Sequence, residues 1–449
     1  MFGGSELCWL PLIAFSGYFR RLKHCVARMP IENESIRKVC PKCSTEIAVY
    51  EGLRTWCEQC NWNVAGESQR VDEGFLARRY VRIGERYGKA VLETLKLTPV
   101  HELRPGWPVR KIVAFLLAGS VHFLSAALLV VGILLIALGF PEVSLIVLGV
   151  SSCAFAWLMR LQPGKMPAKD IASRADFPAL YGLVNAVGRE LGGAPIDHIV
   201  VNEDFNAAYA VVGWRRVPVL WIGLPFWMAL GPQERVALLG HEIAHGVNGD
   251  STRSFMVGSA VGALDEWIGF LRGPLERASD AVEILGGSLT WVLSIPFAAL
   301  QSLLAQLLWL DKQQAEYFAD YLGSTISGTE AAVSALLRIG CGEHLDEVLL
   351  RHAYSRSQSG AYILGQFRQR IASLPEREWQ RMARASQREG ARLDASHPPT
   401  PYRVEFLRAH VVSQPKIVAT ESTMNPVDAE LDKLREILGQ RLIARIARD

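Results

Sequence analysis

Neither sign of charge dominates this chain. Its 48 lysines and arginines stand against 45 aspartates and glutamates, a net charge of +3, too small to argue for any particular partner. No stretch repeats another. Cysteine is scarce at eight in 449 residues, and Cys8, Cys25, Cys153 and Cys341 show no ligand spacing. The apolar stretch at residues 7–15 precedes Arg20, Arg21, Lys23 and Arg28, the reverse of the order a secretory signal has. Residues 1–30 read instead as an interfacial segment, or as an upstream extension with translation starting at Met29.

Charge is altogether absent from three runs. Residues 112–140 hold only His122 as an ionisable group, which is long enough for a membrane-spanning helix. Pro141-Glu142 makes a turn, and residues 143–159 are again uncharged. The pair reads as a transmembrane helical hairpin. Arg110 and Lys111 precede it and Arg160, Lys165 and Lys169 follow it, so the positive-inside rule puts both long arms in the cytoplasm. His122 is expected to face a partner helix or to snorkel. The third run, residues 284–310, has only residues 254–264 as companion, bounded by Arg253 and by Asp265-Glu266. That is a poor span, so the run is expected to be a buried or membrane-apposed helix lining the entrance of a site, with Pro296 able to kink it.

What is present is a short string with chemistry attached: His241-Glu242-Ile243-Ala244-His245. Two histidines one helical turn apart can grip one metal ion, and the glutamate beside the first reaches the water that completes its coordination. Pro232 after Gly231 marks the helix start, Val236, Leu239, Ile243 and Val247 form a buried stripe, and Gly246, Asn248 and Gly249 end it. Catalytic zinc sites usually have three protein ligands. Glu316 is the natural third, and Asp320, one turn on, is placed to accept the free ring N–H of a ligand histidine.

Four motifs occur in one order: Asn206-Ala207-Ala208-Tyr209; His241 to His245 running into Asn248-Gly249-Asp250; Glu316 to Asp320; and Ser396-His397-Pro398-Pro399-Thr400 with Arg403 beyond. In these, between about residues 170 and 410, the chain resembles the integral-membrane zinc metallopeptidases of the HtpX and CAAX-prenyl-protease type. The resemblance implies zinc on His241, His245 and Glu316, Glu242 as catalytic base, and His397 and Arg403 facing substrate or the developing oxyanion. It also implies polypeptide substrates, membrane or misfolded proteins in the quality-control branch. The prenyl-protein branch implies a multi-helix membrane chamber, which two convincing spans do not make.

Residues 197–202, 206–212 and 217–223 read as strands, the last two separated by Gly213-Trp214-Arg215-Arg216. An exposed edge there, at Asn206, Ala207 and Ala208, would take an extended peptide through main-chain hydrogen bonds. An ordinary core sheet is the other reading.

Cys40-Pro41-Lys42-Cys43 and Cys57-Glu58-Gln59-Cys60 form two knuckles in the four-cysteine pattern of structural zinc, with Trp56 and Trp62 adding apolar bulk. No basic patch accompanies them, so nucleic acid is not the expected partner. The expected organisation is an N-terminal extension (1–30), a zinc ribbon (31–66), a helical linker (67–109), a transmembrane hairpin (110–162), a zincin-like metalloprotease domain (170–412), mainly α with a small β-sheet, and a C-terminal helical tail (413–449). Within the tail, residues 427–448 read as a helix after a linker flanked by Pro415 and Pro426. Two zinc ions, one catalytic and one structural, are expected in an endopeptidase of the cell's inner membrane. The rivals are a non-catalytic membrane scaffold using the ribbon, and an aminopeptidase.

Overall fold

The computed structural model describes residues 36–65, 75–158, 160, 164–276, 280–352, 359–388, 390, 391 and 397–446. The N-terminal extension and Ser396 lie outside them.

The ribbon opens the described chain. Strands β1 (Ile36–Val39) and β2 (Glu46–Val49) pair antiparallel, and the two cysteine knuckles close on each other around Ile47. The ribbon does not stand apart. Trp56, 1% exposed, packs with Val64 and Ala385 and lies between the guanidinium groups of Arg377 and Arg384. Arg377 donates to the Trp56 carbonyl at 2.8 Å, Arg381 to that of Val64 at 2.8 Å and Arg384 to that of Glu58 at 2.6 Å.

Helix α1 (Phe75–Leu97) follows, then α2 (Val109–Leu138) and α3 (Val143–Leu158), the expected hairpin. α2 and α3 touch backbone to backbone at Gly132 and Gly149, where an added Cβ on either would lie within 2.8 Å of the other's carbonyl oxygen. Small residues at such a crossing let apolar helices approach closely. Ser152 donates to the Leu128 carbonyl across the same interface at 2.8 Å.

The part of the chain that follows α3 is built on a four-stranded sheet in the order β3 (Ile171–Ala172), β4 (His198–Asn202), β6 (Val217–Gly223), β5 (Ala207–Val212). β4 and β6 run parallel, and β5 pairs antiparallel with β6 alone, so β5 is an edge. Helix α4 (Pro178–Glu190), the short α5 (Leu224–Ala229) and α6 (Pro232–Val247) bury their apolar faces with it, through Leu180, Val184, Ile199, Leu220, Trp227, Val236, Leu239 and Ile243.

After α6 the chain runs out along α7 (Asp250–Glu276) and back along α8 (Ala281–Ser327), which continues past Pro296 without reversing. Of the two expectations for residues 284–310, burial fails over the first part of the run, where Ile284, Leu285, Leu289, Val292 and Leu293 are each at least half exposed, while Ser294, Leu304 and Trp309 are buried. Its companion is the whole of α7, not residues 254–264. Polar groups of α7 find partners in the hairpin: Asp265, one of the residues that bounded the expected companion, accepts from Gln301 at 3.3 Å, and Arg272 donates to Ser294 at 3.0 Å. α2 joins the pair through Ala114, Ala118 and Val121 against Val257, Ala260, Leu264 and Leu304, and α3 through Phe155 against Trp267. His122 faces α7, its Nε2 3.0 Å from the Met256 carbonyl and from the Ser259 hydroxyl. Among the described residues, α2 and the stretch Glu283–Ser327 are the two helices long and apolar enough to cross a membrane.

Glycine is required at Gly328, where φ is +84° and α8 turns into α9 (Thr329–Leu337). Helices α10 (Gly342–His352), α11 (Gly360–Ala372), α12 (Glu376–Ser386) and α13 (Thr400–Ala409) close the domain. The C-terminal segment forms two helices, α14 (Glu421–Leu431), which contains Pro426, and α15 (Arg435–Ile446). They complete the core instead of trailing from it. Met424, Val427, Leu431, Leu438 and Leu442 are buried in the main cluster, and Glu430 caps α4, accepting from the amides of Ala179 and Leu180 at 2.7 and 2.9 Å.

Candidate active site

α6 starts where the sequence places it, with Pro232 in the first turn and Glu234 accepting from the Gly231 amide at 2.6 Å. Ser334 and Arg338 bind the same carboxylate from the α9 side and fix the helix end. α8 crosses α6 at Gly240 and Gly323. A Cβ on Gly240 would lie 3.0 Å from the Gly323 Cα, and one on Gly323 would lie 3.0 Å from the His241 amide nitrogen. That contact, beside His241 on one helix and three residues after Asp320 on the other, brings the two halves of the site together. Single-sequence reading gives no signal for it, because neither glycine belongs to a turn or a motif. Gly323→Val should push the helices apart, at about 1–3 kcal/mol for forced overpacking, and weaken zinc binding. Thermal melts and zinc titration check both effects.

His241, His245 and Glu316 converge. Nε2 of His241 lies 3.3 Å from Nε2 of His245 and 3.6 Å from Glu316 Oε2, and Nε2 of His245 lies 3.5 Å from Glu316 Oε1. Ligand atoms held tetrahedrally about 2.0–2.1 Å from one zinc ion sit roughly 3.3 Å apart, close to these separations, so the donor set suits zinc. Asp320 Oδ1 is 3.0 Å from His241 Nδ1, which leaves Nε2 facing the cluster. The four ribbon sulfurs pass the same test. Cys40 and Cys60 are 3.7 Å apart and Cys43 and Cys57 3.5 Å. Tetrahedral Zn–S bonds of about 2.3 Å require roughly 3.8 Å, and a disulfide about 2.05 Å.

α13 packs on α8 through Phe406 against Tyr317, ring centroids 5.0 Å apart, and carries Arg403 into the site. Arg403 donates to both oxygens of Asp320, at 2.8 and 2.6 Å, and its terminal nitrogen lies 3.3 Å from both ring nitrogens of His241. Both charged partners are buried. His397 precedes α13 at the rim, its ring 45% exposed, with Nδ1 2.6 Å from Glu316 Oε2. A cavity of about 180 Å³ joins His241, Glu242, Asp320, His397 and Arg403 to Asn206 and Ala207 at the β5 edge. Ala208, next along β5, does not line it. The far wall is apolar, from Phe205, Phe226, Leu336 and Ile339. Sequence reading missed that wall because its residues come from separate elements with no shared spacing.

Burial works against ionised Glu316, but the facing His397 and His245 and hydrogen bonds from His241 and His397 hold its carboxyl well below the usual range. Burial and Arg403 also work against protonated His241, yet hydrogen bonds to Asp320 and Glu316 outweigh them and raise it to about 10. The stability that protonation gives the metal-free protein is therefore complete below about pH 6.5 and lost as pH rises towards 10. A metal must displace that proton. Zinc affinity of the metal-free protein should rise about tenfold per pH unit through neutrality, with one proton released per ion by calorimetry in buffers of different ionisation heat.

No curated protein and no solved structure matches the chain. Residues 190–411 match the model of Peptidase family M48. That segment contains every member of the His/Glu cluster together with Glu242, Asp320, His397 and Arg403, so the chain carries a zinc metallopeptidase domain of the M48 family, the family of the HtpX and CAAX-protease type.

Proposed function

We propose that the protein is a membrane-anchored zinc endopeptidase that cuts membrane or misfolded proteins at the cytoplasmic face of the cell's inner membrane. The observation that carries this reading is the convergence of His241, His245 and Glu316, with His241 and Glu242 lining a cavity that reaches a sheet edge at Asn206 and Ala207. His241, His245 and Glu316 would hold zinc, which when bound would supply Lewis acidity and a water nucleophilic at neutral pH. Glu242 takes the proton of the attacking water and returns it to the leaving amine. Asp320 keeps His241 in the tautomer that presents Nε2, and Arg403 holds Asp320 in place. Arg403 holds both oxygens of Asp320 and also lines the cavity, so it acts on His241 through Asp320 while facing the substrate space. His397, at the rim, is the side chain placed to stabilise the oxyanion. Asn206, Ala207 and Ala208 start an edge that pairs with an extended substrate backbone, which suits recognition tolerant of sequence.

The ribbon cysteines hold a second, structural zinc. α2, α3, α7 and the first half of α8 form the membrane bundle, with Arg110, Lys111, Arg160, Lys165 and Lys169 at its cytoplasmic end. The out-and-back path of α7 and α8 keeps His245 and Glu316 on one side of the bilayer. A peptide blocked at both ends separates this reading from its rivals. An endopeptidase cuts it internally, whereas an aminopeptidase or a scaffold leaves it whole.

A further inference from the structure

One exposed feature is unused by this account, the tip of the β5–β6 hairpin. Val212 pairs with Val217, so Gly213-Trp214-Arg215-Arg216 forms the turn, with Gly213 and Arg216 both at positive φ. Trp214 is 72% exposed, an unusual position for the largest apolar side chain. The tip is not out in solvent at random. The Arg216 guanidinium lies 4.9 Å from the ring centre of Phe255, in the first turns of α7 where that helix leaves the catalytic domain. The Gly213 amide donates to the Gly164 carbonyl at 2.9 Å, in the segment that returns from α3. At the end of α3, Trp157 is 65% exposed and stacks with Arg160 at 4.0 Å. Every charged residue from Arg160 to Lys169 is basic. Two exposed tryptophans and five cations (Arg160, Lys165, Lys169, Arg215 and Arg216) therefore lie on the segments that leave and border the apolar bundle. Tryptophan prefers the headgroup level of a bilayer, and each basic residue near an anionic leaflet adds to the attraction.

We infer that the Trp214–Arg215–Arg216 tip is a lipid-contact site, seated among anionic phospholipid headgroups of the bilayer that holds the bundle. The inference rests on the membrane-peptidase reading above and deepens it. β5 runs from this tip at Val212 to the cavity at Ala207. Six strand residues span roughly 20 Å. A segment pairing along the free edge of β5 would run from the headgroup layer to the His/Glu cluster. The substrates singled out are stretches of polypeptide that emerge directly from the membrane.

The test uses the full-length protein in nanodiscs of phosphatidylcholine, with and without phosphatidylglycerol. A photoreactive benzophenone amino acid replaces Trp214, or Tyr87 on α1 as control, and crosslinking to labelled phosphatidylglycerol is read. Crosslinking at 214 and not at 87 is expected. In parallel, Trp214→Ser/Arg215→Gln is compared with wild type on one cleavable segment, either anchored by a transmembrane helix or free as a peptide. The variant should show a several-fold higher KM for the anchored form, loss of any phosphatidylglycerol dependence, and unchanged kcat/KM for the free form. No crosslink at 214, or an unchanged KM for the anchored form, overturns the lipid-contact site while leaving the peptidase reading intact. Release of wild type from membranes by alkaline extraction would instead overturn the membrane reading, and the site with it.

Discussion

Replacing Arg403 with methionine should cost the folded protein about 3–5 kcal/mol and about 10–100-fold in zinc affinity. Arg403 and Asp320 are both buried, their side chains 7% and 4% exposed, and the guanidinium holds both carboxylate oxygens. Burial works against the Asp320 charge, and Arg403 with His241 keeps its pKa below the usual value all the same. Without the guanidinium, Asp320 is a buried carboxylate facing His241 alone, and the orientation of that ring is no longer fixed. Arg403→Lys keeps the charge but loses the two-pronged geometry, so it should fall between wild type and methionine. The decisive comparison is the pair. If the damage comes from an uncompensated charge, Arg403→Met in an Asp320→Asn background should recover much of the lost stability. Equal loss in both backgrounds by denaturant unfolding would show that Arg403 matters through packing and not through Asp320.

Trp56→Ala should have a comparable effect from the other end of the chain, about 3–5 kcal/mol for emptying a fully buried aromatic site. Trp56 fills the junction between ribbon and α12, with Arg377 and Arg384 on its ring and its carbonyl taken by Arg377. Arg381, 1% exposed, ties the same junction to Glu378 and Glu343 at 2.8 and 2.9 Å. α12 in turn reaches the active-site helix: Trp379 lies under Arg338, 4.3 Å from its guanidinium carbon, and Arg338 binds Glu234 at the start of α6. Amide hydrogen exchange of residues 376–386 should speed up in Trp56→Ala, and equally when the ribbon cysteines are stripped of zinc by a chelator. Unchanged protection of α12 in both cases would mean that the ribbon merely rests on the domain. On the ribbon, Trp56 and Val64 are thus covered by α12 of the same chain.

How much of this was legible beforehand depended on the range of the interaction. The His241–His245 helix, the three strands between 198 and 223, the cysteine knuckles and the α2–α3 hairpin are set by local spacing and composition, and the structure places them within a few residues of where the sequence does. The Glu316–Asp320 pair was legible because both sides sit on one helix turn. The α7–α8 excursion was not, because Asp265 looks like a break in an apolar run until Gln301 is seen opposite it. The C-terminal helices looked like a tail for the same reason. Glu430 and Asp428 reveal their roles only through the amides of α4 and through Arg235, 2.9 Å from Asp428. The Gly240–Gly323 crossing, on which the site depends, leaves no trace in either local segment.

The central claim is that two metal sites and one base make this chain a peptidase. Zinc content of the detergent-purified protein, measured together with casein cleavage for wild type and Glu242→Gln, tests it most directly. About two zinc ions per chain in both proteins, with cleavage by wild type alone, is the result expected from a ribbon, a His/Glu site and a glutamate base that takes no part in holding metal. One zinc ion in both and cleavage by neither would leave only the ribbon metallated and contradict the account.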